Sequence, residues 1–312
     1  MLVALAVLAL ALSALLIFMA SRASDQKPVP VRPATAARRP SPRPPAPKPS
    51  LYATLAVPPN QQIRVKKLKQ GLRSGILFNV KTGRLLWSRR PGELMPIASL
   101  TKMMTALVVV SHTRPRDTAV ITREAVHFSG SGVGELPRGK RVSVVALLYG
   151  LLLPSGNDAA IALAQHVAGS TRHFVALMND RAQQMGLTCT HFSNVSGVVD
   201  RDNYSCTKDL AAMARAVLEQ PRLSRIVASR SAELPFPIKG GKLFLYNNNP
   251  LLLSRYPGAD GVKTGYTEAS GQCLVASARR RGTWLGVVLL HSGDAADQAQ
   301  QLLNTGFRKL GA

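Results

Sequence analysis

Residues 96–107 read PIASLTKMMTAL, and this stretch predicts the start of a helix. Pro96 suits the approach to a helix, and the Ala, Leu and Met residues that follow favour helical conformation. Ser99 and Lys102 are three residues apart, so on a helix their side chains lie on one face. A serine beside an amine is the arrangement that an activated serine nucleophile requires. Taken alone, the spacing also fits a capping serine and a lysine that extends to solvent, so the rest of the chain must decide.

Strand-forming segments lie at both ends of the part of the chain that is expected to be ordered. Residues 75–80 and 84–88 predict two strands joined by a turn, and residues 273–278 and 284–291 predict a second pair. Residues 294–310 predict a closing helix. Helices are also predicted in the middle of the chain, at residues 142–153, 159–168, 171–185 and 207–219. This order predicts an α/β protein of the α+β class: one antiparallel sheet built from both chain ends and flanked by helices, with a helical subdomain.

The first 72 residues differ in composition from the rest. Residues 1–23 contain a nearly continuous apolar run that is long enough to cross a bilayer, and we expect either a cleaved signal peptide or an N-terminal membrane anchor. Basic residues follow this run rather than precede it, against the usual charge rule. Residues 24–72 are rich in Pro, Ala, Arg and Lys, which predicts a disordered linker. We therefore expect an exported protein whose folded domain occupies residues 73–312.

The chain carries a formal net charge of +24, with 40 Lys and Arg residues against 16 Asp and Glu. So large an excess predicts attraction to a polyanion, such as a cell-wall polymer, a lipid surface or a nucleic acid. Charge alone does not choose among these partners. A basic linker beside a membrane segment favours an anionic cell-wall polymer or lipid, and we expect no nucleic acid partner.

The three cysteines suggest a disulfide rather than a metal or redox site. The chain has no Cys-x-x-Cys, so a zinc site or a dithiol redox site of that type is not predicted. Cys189 and Cys206 enclose a short segment, and in an exported protein we expect them to form a disulfide. Cys273 lies in an apolar run, and we expect a buried, free and unreactive thiol.

Three short motifs follow one another along the chain: Ser-x-x-Lys at residues 99–102, Ser-Gly-Asn at 155–157 and Lys-Thr-Gly at 263–265. Each is weak alone, since a second Lys-Thr-Gly occurs at residues 81–83. That copy lies in a predicted turn, so we interpret it as structural, whereas the later copy is predicted to open a strand. A Gly-rich loop at residues 129–134 has no strand before it, so we do not interpret it as a dinucleotide site. The order and spacing of the three motifs together give a strong signal.

With these motifs in order, the chain resembles the serine D-Ala-D-Ala carboxypeptidases, the low-molecular-mass penicillin-binding proteins of peptidase family S11. The resemblance covers residues 74–310 and extends beyond the motifs to residues 139–159, 190–192 and 258–265. It implies a β-lactamase/transpeptidase-like fold, in which an antiparallel sheet has helices on both faces beside a helical subdomain. Longer carboxypeptidases of the family carry an extra β-rich domain, and we expect this chain to be of the shorter kind.

The resemblance implies a role for each residue of the first two motifs in a D-alanyl-D-alanine carboxypeptidase. Ser99 would attack the carbonyl of the penultimate D-Ala and form an acyl-enzyme, and Lys102 would take the serine proton. Ser155 would relay a proton to the leaving amine. Asn157 would orient the substrate amide and hold Lys102.

The third motif is implied to bind substrate. Lys263 and Thr264 would bind the terminal carboxylate, and Gly265 would let a substrate strand approach the backbone. The backbone N–H groups of Ser99 and Tyr266 would form the oxyanion hole. The resemblance implies no metal and no cofactor. The implied partners are a peptidoglycan stem peptide ending in D-Ala-D-Ala and β-lactam inhibitors.

Three alternatives remain open at this point. A class A β-lactamase needs a glutamate base for deacylation, but Glu219 and Glu233 are the only glutamates between the second and third motifs, and neither has the expected neighbours. A D-Ala endopeptidase that cleaves peptidoglycan cross-links would use the same site with a larger leaving group. A non-catalytic, basic protein that binds cell wall or nucleic acid would need none of the three motifs, whose presence argues against it.

Overall fold

The computed structural model describes residues 61–66, 68, 71–134 and 136–312. The signal peptide or anchor predicted at residues 1–23, and most of the predicted linker, lie outside the described residues. Within the described ranges, no helix has both the length and the apolar character needed to cross a membrane.

The packed part of the chain begins before residue 73, where the sequence predicts the domain to start. The Ile63 N–H donates to the Leu86 carbonyl oxygen at 2.7 Å. Leu72 is buried as the first residue of a strand. The end of the predicted linker at residues 24–72 therefore belongs to the folded domain. When composition is averaged over the whole Pro-rich segment, the few apolar residues at its C-terminal end do not stand out.

The longest strands belong to the central sheet. In chain order they are β1 Leu72–Asn79, β2 Leu85–Arg89, β3 Met95–Pro96, β4 Thr118–Val120, β5 Arg141–Ser143, β6 Tyr204–Ser205, β7 Ser231–Pro235, β8 Lys242–Tyr246, β9 Ala259–Thr267, β10 Gly271–Arg280 and β11 Thr283–Ser292.

The helices occupy the middle of the chain and its C-terminal end. A 3₁₀ helix at Ala98–Thr101 precedes α1 Lys102–His112, α2 Arg123–Val126, α3 Val144–Leu152, α4 Asn157–Ala168, α5 Thr171–Gln184, α6 Thr207–Glu219, α7 Pro221–Val227, α8 Pro250–Leu253 and α9 Ala295–Lys309.

Five strands form one antiparallel sheet in the order β2-β1-β11-β10-β9. The first two strands of the domain and the last three therefore pair, as Ile76 opposite Val288 shows. The predicted antiparallel sheet built from both chain ends is confirmed. The remaining strands form three two-stranded sheets, which join β3 to β6, β4 to β5 and β7 to β8.

Both faces of the central sheet are covered by helices. On one face, Leu274 and Val287 pack against α9, which contributes Phe307. On the other face, Val275 and Val288 join a larger cluster that includes residues of α1 and of α3 to α6. Successive strand residues point to opposite faces, so β10 and β11 serve both clusters. Each fully buried large apolar side chain contributes about 1.5–3 kcal/mol, and this holds the three layers together.

Two predicted boundaries near the motifs differ from the structure. The helix predicted at residues 142–153 begins at Val144, because Ser143 ends β5 and caps α3 by accepting a hydrogen bond from the Ala146 N–H at 3.1 Å. Lys263 does not open a strand but lies in the middle of β9. The two glycines upstream of Lys263 indicate a turn, yet Ala259 already pairs with β10.

We expect Gly258→Ala to destabilise the domain more than Gly282→Ala. Both glycines have a φ of +79°, and an alanine there costs about 1–2 kcal/mol in backbone strain. A Cβ atom on Gly258 would also lie 2.0 Å from the Arg279 carbonyl oxygen, whereas nothing lies within 4 Å of one on Gly282. Urea denaturation measures both free energies of unfolding. Equal losses in the two variants would contradict the packing of Gly258 against β10.

Candidate active site

Ser99 lies in the 3₁₀ helix that directly precedes α1. The residue before it, Ala98, has a φ of +46°, a left-handed conformation that alanine rarely adopts. Two glycines pack closely against this turn: a Cβ on Gly197 would lie 1.8 Å from the Ala98 carbonyl oxygen, and one on Gly265 would lie 3.1 Å from the Ser99 nitrogen. Gly265 therefore admits the turn that carries Ser99, and its predicted approach to a substrate strand stays a prediction.

Lys102 is fully buried, and its Nζ contacts three oxygen atoms. These are Ser99 Oγ at 2.9 Å, Asn157 Oδ1 at 2.7 Å and the Ser196 carbonyl oxygen at 2.7 Å. The Asn157 amide has a fixed orientation, because its Nδ2 donates to the Ser129 carbonyl oxygen at 2.6 Å. Two of the three partners of Lys102 are therefore carbonyl oxygens, which accept hydrogen bonds and never donate them.

This set of partners fits a neutral lysine amine. A neutral amine has two N–H donors and one lone pair, so it can donate to Asn157 and Ser196 and accept from the third partner. Ser99 is the partner whose hydroxyl can donate a proton. The 2.9 Å between Lys102 Nζ and Ser99 Oγ is short enough for a proton to pass between them.

The electrostatics of two lysines favour the same protonation state. Burial lowers the pKa of Lys102 well below its usual value, the charge of Lys263 lowers it further, and Asp158 acts in the opposite direction. Burial alone lowers the pKa of Lys263 to about 7. Because two positive charges repel each other in a buried site, a charge on Lys263 favours the neutral form of Lys102.

Strand register places Lys263 beside this turn. Lys263 lies opposite Val275 of β10, so both side chains point to the sheet face that the helical layer covers. Its Nζ donates to the Thr264 carbonyl oxygen at 2.9 Å. The Lys263 side chain is buried, whereas its neighbours Thr264 and Gly265 line the cavity described next.

A cavity of about 430 Å³ opens in front of Ser99. Residues from all three motifs line it, including Ser155, Thr264 and Gly265, and Tyr266 lies at its exposed side. Ser155 Oγ is buried and has no hydrogen-bond partner among the described residues. An unpaired buried hydroxyl costs about 1–3 kcal/mol, which makes it a good candidate for binding a ligand. The structure therefore brings the residues of the three motifs together.

The Gly-rich loop at residues 129–134 belongs to this site, which sequence reasoning missed. Ser131 lines the cavity, and its carbonyl oxygen accepts from the Asn157 N–H at 2.7 Å. Asp158, which the sequence predicts as a charge at a helix start, also holds the loop by accepting from the Val133 N–H at 2.8 Å. Burial raises the pKa of Asp158, and the backbone N–H groups around it oppose that shift. The Ser and Gly content of the loop indicates a turn of the backbone, but no known motif spacing connects this loop with residue 157.

A second loop, closed by a disulfide, carries the third partner of Lys102. Cys189 and Cys206 are joined, with their Cα atoms 5.6 Å apart. The loop between them contains Ser196 and also Asn203, whose Nδ2 donates to Thr101 Oγ1 at 2.8 Å. Sequence reasoning found the cysteine pair but not Ser196, because the contact uses a backbone carbonyl that every residue type carries.

The cysteines offer no metal or thiolate chemistry at the cavity. Cys189, Cys206 and Asp209 form a compact group among the described residues, but the two sulfur atoms are bonded to each other and are not free to bind a metal. Cys273 is buried and free, as predicted. Burial raises the pKa of its thiol to about 11, so it stays protonated near neutral pH.

Comparison with known proteins matches the chain to the family model described as D-alanyl-D-alanine carboxypeptidase, peptidase family S11, over residues 61–293. The chain is 33% identical over 251 residues to the D-alanyl-D-alanine carboxypeptidase of Streptomyces sp. strain K15, covering 75% of this chain and 86% of that relative. The crystal structure of the D-alanyl-D-alanine carboxypeptidase from Mycobacterium tuberculosis H37Rv is similar with a TM-score of 0.74 at 32% identity, covering 81% of this chain and 96% of that one.

Other relatives are longer than the matched region. The chain is 33% identical over 222 residues to the D-alanyl-D-alanine carboxypeptidase DacF of Bacillus subtilis strain 168, which is 70% of this chain but 56% of that relative. It covers 62% of DacD from Escherichia coli K12, at 34% identity. The motifs, the fold and these similarities agree: the chain belongs to the D-alanyl-D-alanine carboxypeptidase family of serine peptidases, peptidase family S11.

Proposed function

We propose that the protein is a serine-type D-alanyl-D-alanine carboxypeptidase, a hydrolase that removes the terminal D-Ala from peptidoglycan stem peptides and is inhibited by penicillin. The observation that supports this most directly is the set of contacts of Lys102, whose buried Nζ lies 2.9 Å from the Ser99 hydroxyl. Family membership supports the same reaction.

In the proposed reaction, Ser99 Oγ attacks the carbonyl carbon of the penultimate D-Ala while Lys102 takes the hydroxyl proton. The negative charge that develops on the carbonyl oxygen is stabilised by the backbone N–H groups of Ser99 and Tyr266. Asn157 contributes by holding Lys102 and by orienting the substrate amide. Two hydrogen bonds fix the Asn157 side chain, and this fixed orientation supports the proposed role.

The leaving D-Ala needs a proton on its nitrogen and a partner for its carboxylate. Ser155 supplies the first as a proton relay, and its unpaired, buried hydroxyl supports this role. Lys263 and Thr264 bind the carboxylate, since an ammonium and a hydroxyl form charge-assisted hydrogen bonds with it. Water then hydrolyses the acyl-enzyme. No step in this sequence requires a metal or a cofactor.

Peptidase action is favoured over β-lactamase action, because no carboxylate lines the described cavity. Of the two glutamates between the second and third motifs, Glu233 pairs with Lys242 across the β7–β8 hairpin and Glu219 ends α6. Neither is placed to activate a water for fast deacylation. A penicillin acyl-enzyme is therefore expected to persist.

The proposed substrate is extracytoplasmic, so we propose that the protein is exported. The apolar run at residues 1–23 would direct export as a signal peptide or retain the protein as an anchor. The basic residues of the linker would attract an anionic wall polymer or lipid, a contact that weakens as salt rises.

The proposed function predicts that the full chain gains the mass of one penicillin molecule on incubation with benzylpenicillin. It also predicts that the chain releases D-Ala from a pentapeptide stem. Acylation needs the Ser99 hydroxyl, so Ser99→Ala should show no adduct. Intact-mass spectrometry measures the adduct, and an assay for free D-Ala measures turnover.

The other two outcomes of this experiment would each support a different function. No adduct with penicillin left intact, together with salt-sensitive binding to a polyanion, would contradict the enzyme and support the non-catalytic binding protein. No adduct with penicillin consumed would identify a β-lactamase instead.

The proposed role of Lys102 also predicts how penicillin acylation depends on pH. The neutral form of Lys102 is the base, so the acylation rate should fall as pH drops through the pKa of Lys102. The charge of Lys263 lowers that pKa, so Lys263→Gln should raise it and move the acid limb of the rate profile to higher pH. Loss of the carboxylate partner should also slow acylation by about 10–100-fold. Acylation rates measured across a pH series give both effects.

The second Lys-Thr-Gly copy supplies a matched control for this measurement. Lys81 is exposed in the turn between β1 and β2, so Lys81→Gln should leave both the rate and the pH profile unchanged. An acid limb that stays in place or moves to lower pH in Lys263→Gln would contradict the proposed charge coupling.

A further inference from the structure

A buried chain of two hydrogen bonds ends at the peptide group that precedes the serine nucleophile. Asn203 Nδ2 donates to Thr101 Oγ1 at 2.8 Å, and the Thr101 hydroxyl donates to the Ala98 carbonyl oxygen at 2.8 Å. All three residues are fully buried. The chain of bonds therefore connects the disulfide-closed loop with the turn that carries Ser99.

The direction of both hydrogen bonds follows from the groups that take part. A backbone carbonyl oxygen only accepts, so the single proton of the Thr101 hydroxyl is used in the bond to Ala98. Towards Asn203 the same hydroxyl can only accept, and its partner must be a donor. The amide nitrogen of Asn203 meets this requirement, whereas an apolar or a carboxylate side chain at this position would not.

The Ala98 carbonyl group and the Ser99 N–H group belong to one peptide unit. That unit is planar and trans, so its C=O and N–H bonds point in opposite directions and turn together. A contact that fixes the Ala98 oxygen therefore also fixes the direction of the Ser99 N–H. In the proposed reaction, this N–H is one of the two donors that stabilise the negative charge on the carbonyl oxygen of the substrate.

The backbone at Ala98 needs such support. Its φ of +46° is a sparsely populated conformation for alanine and costs about 1–3 kcal/mol, so it persists only where neighbouring contacts hold it. Gly197 of the disulfide-closed loop supplies a second contact, because a Cβ atom there would lie 1.8 Å from the Ala98 oxygen and 2.7 Å from Thr101 Oγ1. One loop thus holds the same carbonyl by packing and, through Thr101, by hydrogen bonding.

The stability of the fold does not by itself account for an asparagine at position 203. Its Oδ1 is buried and has no hydrogen-bond partner among the described residues. An unpaired buried oxygen costs about 1–3 kcal/mol, whereas the bond from Nδ2 contributes about 0.5–1.5 kcal/mol. An apolar side chain of similar size would avoid that cost, so the feature that distinguishes Asn203 is its donor to Thr101.

We propose that Asn203 and Thr101 are positioning residues that direct the Ser99 N–H at the carbonyl oxygen of the substrate. This inference rests on the proposed function and deepens it. Neither residue lines the cavity, so both act through the peptide group between Ala98 and Ser99. The hydrogen bond from Thr101 also polarises that peptide group, which makes its N–H a stronger donor.

The test measures penicillin acylation by the full chain in three variants. Thr101→Val keeps the shape of the side chain but removes the donor to Ala98, and we expect the acylation rate constant to fall at least about tenfold, since loss of a whole oxyanion donor costs about 100–1000-fold. Thr101→Ser keeps the hydroxyl and should stay within about threefold of wild type. Asn203→Leu removes the first bond only and should lower the rate constant about threefold to tenfold.

Rapid-mixing kinetics over a range of penicillin concentrations separate the acylation rate constant from the dissociation constant of the noncovalent complex. The dissociation constant should change less than about threefold in every variant, because the developing charge is absent before the reaction. The contacts of Lys102 are not altered by Thr101→Val. The acid limb of the pH profile should therefore stay in place while the rate falls equally at every pH.

Thr105→Val is a matched control for general loosening of the loop. The Thr105 hydroxyl is also buried, lies one helical turn after Thr101 and donates to the Val195 carbonyl oxygen of the same loop at 2.7 Å. It does not contact the Ala98 peptide group. We expect urea denaturation to show a loss of stability like that of Thr101→Val, while the acylation rate constant stays within about threefold of wild type.

Several outcomes would overturn this inference while the proposed function stands. They are an unchanged acylation rate constant in Thr101→Val, an equal loss in Thr105→Val, no recovery in Thr101→Ser, and a shifted acid limb. If urea denaturation shows that Thr101→Val is not folded, Asn203→Leu decides, and a wild-type rate constant there contradicts the inference. A wild-type protein that neither acylates with penicillin nor releases D-Ala contradicts the proposed function itself.

Discussion

The buried amine of Lys102 is the constraint on which the rest of the site depends. A lysine amine without partners in the protein interior would be strongly destabilising, so each of its oxygen neighbours must be held in place. Those neighbours come from the 3₁₀ helix before α1, from the first residue of α4 and from the loop that the disulfide closes. Three parts of the chain that are far apart in sequence therefore have to come together to hold the amine beside Ser99.

The layered fold explains why a second lysine can tune the first. Register within the sheet sends the Lys263 side chain into the helix-facing layer, where the charge is poorly solvated. At that depth one ammonium suppresses another far more than it would at the surface, because water no longer screens the two charges. The sheet and the helical layer, which apolar packing stabilises, thus create an environment that lowers the pKa of a buried lysine.

How much could be predicted from the sequence depended on whether a contact uses a distinctive side chain. Ser99, Lys102, Ser155, Asn157 and Lys263 were found because their side chains carry the chemistry at recognisable spacings, and the antiparallel sheet followed from strands at both chain ends. The carbonyl groups of residues 129, 131 and 196 could not be found in this way, since any residue supplies one. The contact of Gly265 with the turn that carries Ser99 was not found from the sequence, and its approach to a substrate strand stays a prediction. Roles of the motif residues in the reaction remain predictions.

The position of β9 at the end of the sheet has a consequence for how any extended ligand is held. The inner edge of β9 pairs with β10, and in the described sheet its other edge has no neighbouring strand. An unpaired edge is normally a hazard, because it can recruit another copy of the chain. Here Ser131 and the turn that carries Ser99 lie near residues 264–266 of that strand, beside the cavity. An extended peptide laid along a free edge pairs with it through backbone hydrogen bonds, a form of recognition that depends little on side chains.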